Sequence, residues 1–136
     1  AIEAAGEAAA AGAIGWVNAT ANGTRPLDRL EVAALGRALG AALPGTPVAS
    51  LKGAIGDGMA SGGLRAAASC LAISDGVVPF TAGLDAPDPA LREAAGHPLD
   101  LVRGSARDLA PRAVLQTGIG DAGGLLSLVF ARATVP

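Results

Sequence analysis

The sequence predicts an α/β domain, and three observations lead to this fold class. Short apolar runs of strand length alternate with longer stretches whose apolar residues recur at helical spacing. Of the 136 residues, 51% are hydrophobic but only 2% are aromatic, so Ala, Leu, Val and Gly must close the core. A chain of this length buries roughly two thirds of its unfolded surface on folding. We find no internal repeat and no linker, and we expect residues 1–136 to form a single domain.

The first third of the chain predicts two helices separated by a strand. Ala and Glu content favours a helix over residues 1–11, and the apolar residues after it favour a buried strand over 13–20. Thr24 is the expected N-cap of the second helix, with Pro26 in its first turn. Leucines at helical spacing continue this helix until Pro44 stops it.

The rest of the chain predicts three strands and one further helix. A short strand over 47–51 precedes a helix from about residue 57 to 75, whose small residues lie on nearly all sides. Such a helix is usually central and packed on several sides. The Pro-rich connection 85–98 favours an irregular surface crossing. Strands over 112–117 and 125–130, joined by a Gly-rich turn, complete the prediction.

Charge and composition exclude several classes of partner. The net charge is -2 and Lys and Arg do not cluster, which argues against nucleic acid and against an anionic membrane surface. The N-terminal AIEAAGEAAAAGAIG has no basic start, and no apolar run approaches the roughly 20 residues of a spanning helix. One Cys cannot form an internal disulfide, which fits a reducing compartment. We expect a cytoplasmic protein with no nucleic-acid and no membrane partner.

Several motifs suggest chemistry but have simpler structural explanations. Residues 118–123 match G-x-G-x-x-G, yet the strand-like LLSLVF follows them instead of a helix, so we predict a tight turn between strands. His97 lies alone in a Pro-flanked loop, and Cys70 is expected to be an unreactive buried thiol. The sequence has neither metal-ligand spacing nor a phosphate-binding loop. We therefore expect no cofactor and no metal site.

Three segments, in order and with matching spacing, resemble one family. VNATANGTRPLDRLE at 17–31 resembles V-N-A-H-G-T-G-T-P-L-G-D-x-x-E of the β-ketoacyl-acyl-carrier-protein synthases, the ketosynthases of the thiolase fold. KGAIGDGMASGGL at 52–64 resembles the family's K-x-N-I-G-H-x-x-A-A-A-G-L, and 76–91 resembles its G-V-x-P-P-T-x-N-L-D-x-P-D-P. The resemblance implies the C-terminal half of a thiolase-like fold, with a mixed sheet packed by helices.

The departures from the family pattern concern its chemistry. Thr20 and Asp57 occupy the two histidine positions, whereas the family lysine is retained as Lys52. In the family these histidines bind the enolate oxygen, and the acyl-carrying cysteine lies upstream; Cys70 does not correspond to it. Losing one donor from such a hole costs about 10²–10³ in rate. We expect no catalytic residue in this chain, with Asp57 capping the central helix and Thr20 hydrogen-bonding locally.

A third departure lies in the family's gating turn, G-F-G-G-T-N. Here the turn consists of Gly120, Asp121, Ala122 and Gly123, with Asp121 in the position of the gating Phe. A gate that no longer closes over a nucleophile is consistent with an inactive site.

Within the family, the chain looks most similar to the chain-length factors of type II polyketide and polyene systems. That resemblance implies a non-catalytic subunit in fatty acid or polyketide biosynthesis, which pairs with an active ketosynthase or a second copy, shapes the acyl tunnel and meets an acyl carrier protein. Two alternatives remain open: an acyltransferase of this family that uses an upstream cysteine, and a stand-alone half-fold that serves as an assembly module.

Overall fold

The computed structural model describes residues 14–120 and 122–133. The strands are β1 (Trp16–Asn18), β2 (Pro47–Ala49), β3 (Val77–Val78), β4 (Asp100–Leu101), β5 (Arg107–Asp108), β6 (Ala113–Ile119) and β7 (Leu125–Ala131). The helices are α1 (Arg25–Leu39), α2 (Lys52–Ile55), α3 (Ser61–Asp75) and α4 (Ala90–Ala95), and a 3-10 helix spans Gly40–Gly45. The helix predicted over 1–11 lies outside the described residues.

Five strands form one mixed sheet in the order β4-β2-β1-β6-β7. β4, β2, β1 and β6 run parallel, and β7 pairs antiparallel with β6 along its whole length. β3 and β5 form a separate antiparallel pair. The predicted α/β class and the mixed sheet packed by helices are therefore confirmed.

The central strand β1 is buried on both faces, and its side chains alternate between two cores. Val17 belongs to a cluster with Val32 and Leu35 of α1, on one face of the sheet. Trp16 belongs to a cluster with Ile73 of α3, on the other face. Neighbouring residues of β1 thus contact different helices, and the strand connects the two halves of the core.

Helix α1 begins and ends close to the predicted residues. Thr24 is the N-cap and proline occupies the first turn, although the Thr24 hydroxyl donates to Asn22 Oδ1 at 2.6 Å instead of capping the helix. Gly40 ends the helix with φ +50°, which glycine adopts without steric cost. The 3-10 helix continues to Gly45, where the predicted stop lies.

Two predictions about helices are wrong. The central helix α3 begins at Ser61 with Ala60 as its N-cap, not at Asp57. The connection 85–98 is not wholly irregular, because α4 forms within it, with the Asp88 carboxylate accepting a hydrogen bond from Ala90 N–H. The prolines of this connection favour a loop, but a helix of six residues begins directly after Pro89.

The outer face of α3 also differs from expectation. Its inner face packs on the sheet through Ala72 and Ile73, but Leu64 and Leu71 are more than half exposed. Cys70 lies on the exposed side as well, so the prediction of a buried thiol is wrong. Small residues surround the helix, yet within the described residues only one side of it is covered.

Gly36 of α1 lies directly against α4. A Cβ at this position would lie 2.0 Å from the carbonyl oxygen of Ala95. Gly→Ala in a helix interior normally stabilises by about 0.5–1 kcal/mol. We expect Gly36→Ala to lower the free energy of unfolding instead, by about 1–3 kcal/mol, because the two helices must separate. Gly63→Ala in α3 is the matched control, since no atom of the described residues lies within 4 Å of its Cβ. Urea unfolding should show opposite signs for the two variants.

Asp88 joins α4 to α1 through a 3.0 Å ion pair with Arg29. The backbone hydrogen bond from Ala90, followed by the hydrogen bond from Arg29, lowers the pKa of Asp88 below its ordinary value. A lowered folded-state pKa gives stability that is present above the unfolded pKa of about 3.9 and is lost as pH falls through the folded value. Asp88→Asn should therefore reduce the melting temperature at neutral pH and approach the parent protein in acid. An equal difference at all pH values would contradict this assignment.

Candidate functional site

The carboxyl ends of three parallel strands meet at one edge of the sheet. β1 leads into the loop 19–24, β2 leads into α2, and β6 leads into the turn before β7. Parallel strands that share a direction bring the segments after them to the same edge, where α/β sheets usually bind ligands. This geometry explains why Thr20, Lys52 and Gly120, far apart in the chain, line a single cavity.

The carboxylate of Glu31, on α1, holds the loop after β1. Thr20 N–H donates to Oε1 and Ala21 N–H donates to Oε2, each at 2.8 Å. The Thr117 hydroxyl of β6 donates to Oε1 as well. Glu31 is 2% exposed, and hydrogen bonds to a charged acceptor are among the stronger ones in a protein. The side chain therefore ties α1, the end of β1 and β6 together.

On the other face of the sheet, the guanidinium of Arg65 also connects a helix to the ends of β1 and β6. Its Nη2 donates to the carbonyl oxygens of Asn18 at 2.5 Å and Thr117 at 2.9 Å, and its Nε donates to Asn18 Oδ1 at 3.2 Å. Asn18 Nδ2 donates back to Arg65 O and to Ser69 Oγ, each at 3.0 Å. Burial lowers the pKa of Arg65, against the opposing effect of Glu31 and Asp57. Arginine nevertheless stays charged in proteins, so α3 carries a fixed cation beneath the strand ends.

A cavity of about 540 Å³ lies on this face, between α3, the loop after β1 and the β6–β7 turn. We call it the α3-side cavity; Thr20, Lys52, Asp57 and Arg65 all line it. The Thr20 hydroxyl is buried and, within the described residues, has no hydrogen-bond partner. The prediction that it bonds locally is therefore wrong, and the backbone of Thr20 makes the contacts to Glu31 and Thr117 instead.

Lys52 and Asp57 form an ion pair at the mouth of the cavity. Lys52 Nζ lies 2.7 Å from Asp57 Oδ1, and the carboxylate side chain is 47% exposed. Asp57 does not cap α3, which begins four residues later and has no side-chain cap. Because α3 begins only at Ser61, the Asp57 carboxylate does not bind the free N–H groups at its start. It pairs with the ammonium group of Lys52 instead.

The turn between β6 and β7 closes the cavity on its last side. Gly120 N–H donates to Gly124 O at 2.8 Å, and Gly123 N–H donates to Gly120 O at 2.9 Å. Gly120 and Gly124 line the cavity, while Ala122 and Gly123 complete the turn. Asp121, the residue in the gating position, lies outside the described residues. As predicted, the glycines of 118–123 join two antiparallel strands, and β7 follows them instead of a helix.

The side chains gathered at this edge suit binding better than proton transfer. Thr20 offers a neutral hydroxyl, the charge of Lys52 is balanced by Asp57, and Arg65 is committed to backbone oxygens. General acid–base catalysis requires a side chain that is free to exchange a proton, and the contacts of Lys52 and Arg65 leave neither of them free to do so.

The contacts of two side chains of the site, Arg65 and Glu31, were not predicted from the sequence. Arg65 is the only charged residue between Gly58 and Asp75, and a lone charge in an otherwise apolar helix was the available signal for a buried polar contact. For Glu31, the motif and the helix dipole explain an acid near the start of α1, but neither identifies the groups that it binds. The structure shows that its two oxygens bind the loop eleven and ten residues earlier in the chain.

The Glu31 contact can be measured with a double-mutant cycle. Glu31→Gln places an amide group against N–H or O–H donors, so it should lower the free energy of unfolding by about 2–4 kcal/mol. Thr117→Val removes one of the donors, and the double variant should lose less than the sum, with a coupling of about 1 kcal/mol or more. Glu93→Gln, at an exposed position, is the control and should change stability by less than about 0.5 kcal/mol. Strict additivity at 31 and 117 would contradict the contact.

The chain is similar in sequence and in structure to known proteins of one family. Residues 1–85 match the family model described as the C-terminal domain of β-ketoacyl synthase. The chain is 41% identical, over 118 residues, to the tetracenomycin polyketide synthase ketoacyl synthase alpha subunit of Streptomyces glaucescens. This alignment covers 86% of the chain but 26% of the relative, so the chain spans about a quarter of that protein's length.

Solved structures support the same family. The ishigamide ketosynthase/chain length factor superposes with a TM-score of 0.79 at 28% identity, covering 89% of this chain and 28% of that one. A type II PKS acyl-carrier protein in complex with its ketosynthase bound to the hexaketide superposes with a TM-score of 0.77 at 25% identity, covering 89% and 28%. The fold is thus that of the thiolase-like ketosynthases. The chain belongs to the β-ketoacyl synthase family, whose C-terminal domain it matches.

Proposed function

We propose that the protein is a non-catalytic, chain-length-factor-type subunit of a type II polyketide synthase. In this role it pairs with an active ketosynthase and shapes the tunnel in which the growing acyl chain lies. The observation that carries the proposal is the occupation of the two family histidine positions by Thr20 and Asp57, at a site whose backbone framework is intact. The chain has kept the shape of the site and lacks the imidazoles.

The geometry around the two replaced positions supports the loss of condensation chemistry. At position 57 a carboxylate stands where the family places an imidazole donor, and it already accepts from Lys52 at 2.7 Å. At position 20 the neutral hydroxyl is buried beneath the cavity and cannot act as a base at ordinary pH. A carboxylate facing a developing enolate would be repelled by about 4 kcal/mol at 4 Å and an effective dielectric near 20.

The similar structures support the kind of partner that we propose. One of them is a ketosynthase/chain length factor, and another is a ketosynthase in complex with an acyl-carrier protein. We propose that the full protein meets the same two classes of partner, an active ketosynthase subunit and an acyl carrier protein. The outer face of α3, with Leu64 and Leu71 exposed, leaves apolar surface for contact with the rest of such an assembly.

A second candidate is acyl transfer by a nucleophilic cysteine upstream of this chain. It is favoured by the name of the Streptomyces glaucescens relative, which is a ketoacyl synthase alpha subunit. Acyl transfer without decarboxylation makes no use of the two imidazoles, so the changes at positions 20 and 57 do not exclude it. A full protein that lacks a cysteine at a helix-start elbow in its upstream half would exclude it.

Co-expression tests the subunit role. The full protein should form a stable heterodimer with a cysteine-bearing ketosynthase encoded beside it, and omitting the full protein should change the length of the polyketide product, measured by mass spectrometry. Absence of a heterodimer, together with unchanged product length, would contradict the proposal.

A variant at position 20 tests whether the Thr20 hydroxyl takes part in catalysis. Thr20→Val removes a buried hydroxyl that has no partner among the described residues, so it should keep product yield within about twofold and should not lower stability. Thr117→Val, with the same change of shape, removes a bonded hydroxyl and should destabilise the protein by about 1 kcal/mol or more. A tenfold loss of product with Thr20→Val would show that the hydroxyl takes part in chemistry.

A further inference from the structure

A second cavity, of about 420 Å³, opens at the same edge of the sheet but on the face covered by α1. We call it the α1-side cavity. Its volume lies within the range of small-molecule sites. Most of its wall is apolar, with Val32 and Leu35 from α1, Val48 from β2 and Leu84 from the loop after β3. The cavity therefore suits a ligand with an apolar body.

The charged residues of the wall are mainly acidic. Asp28, Glu31 and Asp57 line the α1-side cavity, and among residues 14–120 and 122–133 Lys52 is the only Lys or Arg that does so. With all four ionised, the three carboxylates and one ammonium give the wall a formal charge of -2. Lys52 is bound to Asp57, so the remaining negative charge belongs to Asp28 and Glu31. Charge complementarity favours a cationic ligand over an anionic one.

The two remaining carboxylates differ in their hydrogen bonds. Both oxygens of Glu31 accept hydrogen bonds, from two backbone N–H groups and the Thr117 hydroxyl. Asp28 Oδ1, by contrast, is shielded from solvent and has no hydrogen-bond partner within the described residues. Burial, followed by the charge of Glu31, raises the pKa of Asp28 above its ordinary value. A positively charged group beside the Asp28 carboxylate would offset both effects, because it would stabilise the ionised form and balance the charge of Glu31.

We propose that the α1-side cavity binds a primary amine with an apolar body, whose ammonium group donates to Asp28 while its hydrocarbon part lies against Val32, Leu35 and Val48. This site is separate from the α3-side cavity and does not depend on the proposed subunit role. The two cavities share Lys52 and Asp57 at their mouths but lie on opposite faces of the sheet.

Three probes with the same hydrocarbon tail test the choice of head group. Octylamine, octanol and octanoate are titrated into the 136-residue chain by isothermal calorimetry at neutral pH. We expect octylamine to bind at least tenfold more tightly than octanoate, with octanol between them, because only the head group changes. Octanoate that binds as tightly as octylamine would overturn the proposal, as would the absence of saturable binding by octylamine.

Variants then locate the site. Asp28→Asn keeps the shape of the side chain and should weaken octylamine about tenfold, while octanol changes by less than about twofold. Asp85→Asn is the matched control, since Asp85 is an exposed carboxylate in the neighbouring loop that does not line the cavity, and it should leave both affinities unchanged. Ala82→Phe narrows the cavity from the loop wall and should weaken all three probes. Equal losses with Asp28→Asn and Asp85→Asn would show only nonspecific attraction of a cation and would overturn the site.

A spectroscopic measurement on the unaltered chain covers the case in which Asp28→Asn fails to fold. The side-chain carboxyl carbon of Asp28, observed by ¹³C NMR, should shift on addition of octylamine and stay in place on addition of octanol. Unchanged Asp28 resonances at saturating octylamine would overturn the proposal.

Discussion

The carboxylate of Glu31 determines where the chain goes after the central strand. It accepts hydrogen bonds from two consecutive backbone N–H groups and from a hydroxyl on the neighbouring strand, and two of these donors, the Thr20 N–H and the Thr117 hydroxyl, are buried. Because the acid sits on α1, the helix, β1 and β6 are held in one relative position. The loop that bears Thr20, and hence one wall of the α3-side cavity, depends on this contact.

Arg65 supplies the corresponding positive charge on the other face, and the two groups hold this edge of the sheet from opposite sides. Neither group bonds to the side chain of residue 20 or 57 within the described part of the chain; both bind main-chain atoms of β1, β6 or the loop after β1. The framework of the site is therefore independent of the residues that would do chemistry in it. The contacts of Glu31 and Arg65 would therefore be unaffected by a change of side chain at position 20 or 57.

Periodicity and turn residues were enough to predict β1, β2, α1 and the hairpin of β6 and β7, because these elements follow from local patterns of apolar residues and glycine. The two-residue strand β4 at the edge of the sheet and the separate pair of β3 and β5 were not predicted. The start of α3 and the presence of α4 were not predictable in the same way, since each depends on contacts with distant segments, such as the Arg29–Asp88 ion pair. At the site, the motif pointed to positions 20, 52 and 57, and the structure places these three residues in the lining of one cavity. The partners of those residues were missed, because Lys52 competes with the helix terminus for Asp57 and only the three-dimensional distances decide between them.

The ion pair shared by the two cavities joins residues only five positions apart, the first residue of the short helix α2 and the residue that follows its C-cap. Groups linked by so short a segment face each other at a high effective concentration whatever the rest of the molecule does. If the segment 52–57 moves when a partner binds, Lys52 and Asp57 will therefore move together, and their ion pair will stay intact. A lysine that depended on a distant carboxylate would lose its partner in the same movement.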